Sequence, residues 1–155
     1  MTQEDKELLL KDLCARLPYG VIVDYKENEF EIPHWKIITI YPNTFDGWIG
    51  YNKRIGAGSE SGSRPFKIGE IKPYLRPLSS MTEEEFLEYY NIKYNKVTYR
   101  YNYERFDVGK FHSVGIIPIE EYLDWLLKNH FDFRGLIPKG LALEASKDMY
   151  KNETI

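Results

Sequence analysis

The chain has 155 residues, of which 43% are hydrophobic and 29% are charged, and its net charge is −3. This composition is typical of one globular domain and excludes a disordered or collagen-like chain. The slight acidic excess argues against a protein that coats nucleic acid with its whole surface. The single cysteine excludes a disulfide framework and a cysteine-built zinc site. No apolar run reaches the roughly 18 residues of a membrane span, so we expect a cytoplasmic protein that does not bind a membrane.

The first third of the chain predicts one helix followed by antiparallel strands. A helix is expected from Thr2 to Arg16, because Thr2 and Asp5 have the spacing of a capping box. Its leucines predict one apolar side, on which Cys14 would be a small buried thiol. The β-branched run at 21–25 predicts a strand.

A second strand is expected at 35–41, with 48–51 as its hairpin partner. Simple alternation places four of its side chains on one face: Trp35, Ile37, Thr39 and Tyr41. Residues 56–64 contain no large apolar side chain and predict a surface loop. The two prolines in residues 72–77 predict an extended or turn-like path.

The second half predicts two more helices and two more strands. Thr82 and Glu85 form a capping box for a helix that runs to about Tyr90, and Pro118 suits the first turn of another that ends near His130. Strands are expected at 97–103 and 113–117, and a short helix is possible after Gly140. The expected fold is therefore a single α+β domain over 1–150, with about five antiparallel strands, two or three helices packed on one face, and a frayed tail at 151–155.

Residues suited to chemistry are dispersed along the chain. The three histidines have no metal-binding spacing, no serine or cysteine has a catalytic signature, and the glycines at 56, 58 and 62 miss the phosphate-binding pattern. We therefore predict no metal, no cofactor and no catalytic residue, and we favour a protein that is not an enzyme. The residues most suited to a dispersed site are His130, Asp132 and Arg134, although a histidine at a helix end needs no ligand.

The sequence also contains two candidate binding segments. Residues 51–77 carry six basic and two acidic side chains, whereas residues 1–31 carry four basic and eight acidic ones. Such a segment could bind a phosphate, a nucleic acid or an acidic protein, and a solvated loop is the simpler interpretation. Tyr99 and Tyr101 could stack on bases, although packing within the sheet is the favoured interpretation. The candidate binding residues of these segments are Lys53, Arg54, Arg64, Lys67, Tyr99 and Tyr101.

Three stretches give the chain a resemblance to known sequences: residues 7–21 (ELLLKDLCARLPYGV), 71–85 (IKPYLRPLSSMTEEE) and 124–145 (DWLLKNHFDFRGLIPKGLALEA). Together they cover about a third of the chain, and they resemble a group of short proteins from Bacteroides-type gut bacteria and their phages and mobile elements. This resemblance implies a bacterial cytoplasm and a phage or mobile-element setting. It implies no activity and no functional residues.

Three functions are consistent with these observations. The favoured one is a protein-interaction module that binds a host or phage protein, because the chain is 15% aromatic and its charge is unevenly distributed. The second is a nucleic-acid or nucleotide binder that uses residues 51–77. The third is a small enzyme with a dispersed site.

Overall fold

The computed structural model describes residues 1–25, 35–41, 46–55, 58–86, 89 and 119–151. They belong to two compact units: Met1–Leu75 together with Arg134–Ile155, and Arg76–Phe133. The class is α+β, as expected. One domain over 1–150 remains a prediction. In the expected tail, Lys151 forms an ion pair with Asp148 at 3.1 Å, and residues 152–155 lie outside the described part.

Helix α1 spans Gln3–Arg16 and begins with the predicted capping box, in which the Asp5 N–H donates to Oγ1 of Thr2. Its buried residues are Leu9, Asp12, Leu13 and Arg16. This stripe differs from the expected apolar one, because the charged Asp12 and Arg16 are buried alongside Leu9 and Leu13. Cys14 is exposed, so the prediction of a buried thiol is wrong.

The first unit contains a six-stranded sheet in the order β4-β3-β2-β1-β5-β6. The β5–β6 pair is parallel and the other four pairs are antiparallel, so the expected five-stranded antiparallel sheet is right only in outline. Leu9 and Leu13 of α1 pack into the same apolar core as the strands. The strands are β1 (Val21–Tyr25), β2 (Trp35–Tyr41), β3 (Asp46–Ile55), β4 (Gly58–Lys67), β5 (Ile71–Leu75) and β6 (Leu143–Glu144).

Two local predictions fail in this sheet. Residues 58–64 form part of β4 instead of a loop, because all ten residues of β4 pair with β3. After Gly140 the chain forms β6 rather than a helix, and the Ala145 N–H donates to the Leu75 carbonyl. In both cases backbone pairing with another strand overrides weak local propensity. The extended path expected from the prolines is confirmed in β5, where Pro73 is buried opposite Val23.

The side chain of Tyr150 links the C-terminal part of the first unit to strands β1 and β5. The Tyr150 hydroxyl donates to the Tyr74 carbonyl at 2.6 Å and accepts from the Ile22 N–H at 3.3 Å. Ile22 and Tyr74 would be the next pair in the β1–β5 ladder beyond Val23 and Pro73. The phenol therefore bridges the two strands where their own pairing ends.

The second unit contains helix α2 (Ile119–Lys128) and a helical turn at 83–86 that begins at the predicted Thr82–Glu85 capping box. Its core is aromatic, with Tyr89, Tyr122 and Phe131 buried and Trp125 packed against them. The strands predicted at 97–103 and 113–117 lie outside the described residues. None of the helices described in either unit is long and apolar enough to cross a membrane.

Candidate binding surface on strands β2 to β4

A β-bulge in β2 determines which side chains lie on each face of the sheet. Ile37 pairs with Tyr51 and Thr39 pairs with Gly50, so Ile38 is an extra residue between them. Such an insertion reverses the alternation of the strand beyond it. Trp35 and Ile37 are buried, whereas Thr39 and Tyr41 are exposed. The prediction that these four side chains share one face is therefore wrong.

The bulge creates an exposed surface that we call the outer face. It lies on the side of β2–β4 opposite the buried Ile37, Ile49 and Phe66. Tyr41 pairs across the strands with Trp48, and Trp48 pairs with Pro65. Tyr41 is 60% exposed and Trp48 is 54% exposed. The described members of the outer face are Lys36, Thr39, Tyr41, Trp48, Gly50, Asn52, Ser61, Ser63 and Pro65.

Two glycines allow the strands of this surface to approach closely. A Cβ atom on Gly47 would lie 2.5 Å from the Tyr41 carbonyl oxygen, so only glycine fits beside the Tyr41–Trp48 pair without a backbone shift. A Cβ atom on Gly50 would overlap Oγ1 of Thr39, which occupies the space above that glycine. The surface beside the two aromatic rings therefore contains hydroxyl and amide groups and little side-chain bulk.

The opposite face of the same strands contains a filled aromatic box. Tyr25, Trp35 and Tyr51 are all buried, and the Trp35 and Tyr51 rings meet edge to face at 4.5 Å. The Arg64 guanidinium lies over all three, 4.9 Å from the Trp35 centroid and 5.8 Å from each tyrosine centroid. This is cation–π geometry. The chain's own arginine thus occupies the box.

The basic residues of segment 51–77 lie at different places. Arg64 is in the aromatic box, and Arg76 forms an ion pair with Glu85 in the second unit at 2.8 Å. Lys72 pairs in register with Asp24, and Lys67 is exposed at the end of β4. Lys53 and Arg54 lie in β3, and their side chains lie outside the described part. The described cations of this segment therefore do not line one continuous surface.

The remaining predicted site residues are also separated. Tyr99 and Tyr101 lie outside the described residues. Arg134 belongs to the first unit, where its Nη1 donates to Oδ1 of Asp12 at 2.6 Å. Asp12 also accepts from Nε of Arg16 at 2.7 Å, and both of these side chains are fully buried. This pairing gives Arg134 a role in the packing of the first unit.

His130 and Asp132 are buried in the second unit, on either side of Phe131. The Arg76 N–H donates to the His130 carbonyl at 2.8 Å, and the Asp132 N–H donates to the Arg76 carbonyl at 2.7 Å. His130 adopts φ +59°, in the left-handed region, as the chain leaves α2. Their main chains therefore form a parallel bridge to Arg76. These contacts involve the main chain of His130, and the role of its side chain stays a prediction.

Electrostatic perturbations in the second unit have structural causes. Burial, together with the neighbouring Tyr89, raises the pKa of the Tyr122 hydroxyl above its ordinary value. Partial burial opposes ionisation of Glu85, but hydrogen bonds from Arg76 and Thr82 outweigh it and lower the pKa of that carboxyl. The Arg76 guanidinium also lies 4.3 Å from the Phe131 ring centroid. These groups stabilise local packing.

Within the described ranges, no cluster of three or more histidine, cysteine or acidic side chains could hold a metal ion. Comparisons with protein-family models, curated proteins and solved structures found no match. The outer face is the feature that sequence reasoning missed, because Tyr41 was expected on the same face as Trp35. The signal that reveals it is the register shift at Ile38, which depends on pairing with β3.

Proposed function

We propose that this chain is a cytosolic protein-binding module of a phage or mobile genetic element, and that it docks a partner protein on its outer face. The observation that carries the proposal is the exposed Tyr41–Trp48 pair, which lies where β2 ends and is flanked across the sheet by Pro65 of β4. Rigid aromatic side chains supply much contact area at low entropic cost, and they often dominate binding energy at protein interfaces. The proposed origin and compartment rest on the sequence resemblance and composition.

The chemistry around the aromatic pair indicates the kind of partner. Serine, threonine, asparagine and glycine surround it, a composition that resembles antibody combining sites. Lys36 pairs with Asn52 at one end of the outer face and Lys67 follows Pro65 at the other, and the described members between them are uncharged. We therefore expect a partner surface that combines an apolar patch with main-chain hydrogen-bonding groups.

A nucleic-acid partner is less well supported. Such binding requires several cations placed along a phosphate backbone. Arg64 lies in the aromatic box and Arg76 is paired with Glu85, so two cations of segment 51–77 have partners within the chain. We therefore expect binding that depends weakly on salt.

A site-specific cross-linking experiment tests the proposal. The photoreactive amino acid benzoylphenylalanine replaces Tyr41 in the chain expressed in a Bacteroides host, and it replaces Lys11 in a control, because Lys11 is exposed on α1. A protein adduct specific to position 41 is expected. Equal adducts at both positions, or an adduct removed by nuclease, would contradict the proposal.

The cross-linked protein is then purified, and its affinity for the chain is measured by calorimetry. Trp48→Ser is expected to weaken binding about 30-fold or more, as expected for the loss of a hot-spot residue. Lys11→Ser is the matched control and should bind like the unchanged protein. Affinity that is unchanged by Trp48→Ser, or that falls about 1,000-fold between 50 and 200 mM salt, would overturn docking on the outer face.

A further inference from the structure

Strand β4 forms one edge of the sheet, and within the described residues it pairs only with β3. It is ten residues long, whereas most strands have about five or six. An edge strand presents a row of N–H and C=O groups that can pair with another chain. Ser61 and Ser63 near the middle of β4 are exposed, and no other strand of the described ranges pairs with the edge at these positions.

Pro65 identifies which backbone groups of β4 point away from β3. Proline has no N–H and fits a non-hydrogen-bonded position of the ladder, and the Pro65 carbonyl accepts from the Tyr25 hydroxyl at 3.1 Å. Two residues on, the Lys67 N–H likewise bonds away from β3, to the Glu70 carboxylate at 3.3 Å. In an antiparallel ladder the hydrogen-bonded and non-hydrogen-bonded pairs alternate. The N–H and C=O groups of Ser59, Ser61 and Ser63 therefore point outward.

These three outward positions are self-complementary. A two-fold axis at Ser61 places Ser61 opposite its own copy and Ser59 opposite Ser63 of a second copy. The same rotation brings Glu60 opposite Gly62, with Arg64 of the second copy two residues further on. Serine and glycine side chains leave room for the close approach of a second strand in this register.

We propose that two copies of this chain associate through antiparallel pairing of the β4 edges, centred on Ser61. The interface is isologous, as expected for a two-fold dimer. Opposed residues of an antiparallel pair point to the same side, so the outer faces of the two copies would form one continuous surface. The dimer would then present two Tyr41–Trp48 pairs on one side and could bind a partner bivalently.

Sedimentation velocity of the full chain over a range of concentrations tests the pairing. The unchanged protein is expected to sediment as a dimer, and Ser61→Pro as a monomer at every concentration. Proline fits at position 61, because that N–H does not bond to β3, but it removes the outward donor and blocks a second strand. Ser61→Ala keeps the N–H and should remain a dimer. Circular dichroism checks that each variant retains its fold.

Cysteine cross-linking supplies a second measurement that does not depend on proline. In a Cys14→Ser background, Ser61→Cys should form a disulfide-linked dimer under mild oxidation, because opposed Cα atoms about 5.5 Å apart allow this bond. Ser63→Cys is the matched control and should cross-link at least tenfold more slowly, because its two copies would lie about 13 Å apart along the strands.

The outcomes separate this proposal from docking on the outer face. A protein that is monomeric at all concentrations, a Ser61→Pro variant that still dimerises, or equal cross-linking at positions 61 and 63 would each overturn the β4 pairing. Trp48→Ser should leave the dimer intact. A dimer lost in Trp48→Ser but kept in Ser61→Pro would assign self-association to the outer face and contradict this proposal.

Discussion

Strands β2 and β3 contain two aromatic pairs with opposite exposures. Trp35 and Tyr51 are 2% and 7% exposed, whereas Tyr41 and Trp48 are 60% and 54% exposed. Both pairs combine one tryptophan with one tyrosine. In β2 the difference between Trp35 and Tyr41 arises at Ile38, where the extra residue reverses the alternation of the strand. In β3, Trp48 and Tyr51 are three residues apart and lie on opposite faces by ordinary alternation. Residue type therefore does not determine burial here, and strand register does.

The two pairs also differ in what covers them. The buried pair lies beneath the guanidinium of Arg64, so its cation–π capacity is already used inside the chain. Thr39, Gly50 and Ser63 lie in the register positions next to the exposed pair, and no charge is shown over its rings within the described residues. One face of these strands thus contributes to the core, and the other is exposed.

The largest expected effect is the loss of the buried Trp35, measured against the loss of the exposed Trp48. Trp35→Ala should lower the free energy of unfolding by about 3–5 kcal/mol, because it leaves a cavity beneath Arg64. Trp48→Ala should change it by only about 0.5 kcal/mol, as expected at an exposed position. Urea denaturation measures both. Similar losses in the two variants would contradict the assignment of buried and exposed faces.

A second test concerns the close approach that holds the exposed pair in place. Gly47→Ala should destabilise the protein by about 1–3 kcal/mol, because its Cβ atom would meet the Tyr41 carbonyl oxygen. Gly69→Ala is the control, since no atom lies within 4 Å of the Cβ position there. Thermal unfolding followed by circular dichroism compares them. Equal melting temperatures for the two variants would disprove the close β2–β3 contact.

Arg64 provides a smaller test of the buried pair. Arg64→Met keeps much of the aliphatic packing and removes the charge over the rings, so we expect a loss of about 1 kcal/mol. Lys67→Met removes a charge at an exposed position of the same strand and should be nearly neutral. Chemical denaturation of both variants measures this difference, and no difference would exclude a stabilising cation–π contact.

The smallest expected effect comes from the ion pair between Arg76 and Glu85. Like Arg64, Arg76 lies over an aromatic ring, that of Phe131, but it also has this carboxylate partner. The pKa of Glu85 is lowered in the folded protein, so its ionised carboxylate stabilises the fold at pH values above the ordinary pKa of 4.5. This stabilisation is lost as the pH falls through the lowered pKa of the folded state. Glu85→Gln should cost less than about 1 kcal/mol at neutral pH and almost nothing in acid. Glu84→Gln is the exposed control, and unfolding curves at several pH values measure the difference. A cost that does not change with pH would exclude the ion pair.

Local signals predicted the elements that form from neighbouring residues. The two capping boxes at Thr2 and Thr82, the strand at 21–25 and the helix after Pro118 are all confirmed within one or two residues. In these segments the side chain, backbone and apolar pattern favour the same structure. Strand β4 could not be found in this way, because its Gly-Ser-Glu-Ser-Gly-Ser run has low strand propensity and forms only by pairing with β3.

The candidate surface was harder to predict from the sequence than these elements, because it depends on how separate strands pair. The sequence identified an excess of aromatic residues but placed Tyr41 on the wrong face, since a bulge is a property of two strands together. The sequence also did not predict the burial of Asp12 and Arg16, because Arg134, which completes their ion pairing, lies 122 residues from Asp12. The candidate residues chosen for their charge, Arg64 and Arg134, instead have contacts inside the chain.

The first unit is discontinuous in sequence, and this has a consequence for the order in which a nascent chain can fold. Leu136, Leu141, β6 and Tyr150 all follow the second unit in the chain, yet they pack on or bridge the strands that precede it. During synthesis the helix α1 and the first strands leave the ribosome well before these residues. The sheet therefore remains incomplete until residues 134–150 have emerged, by which time the whole of Arg76–Phe133 is already available to fold.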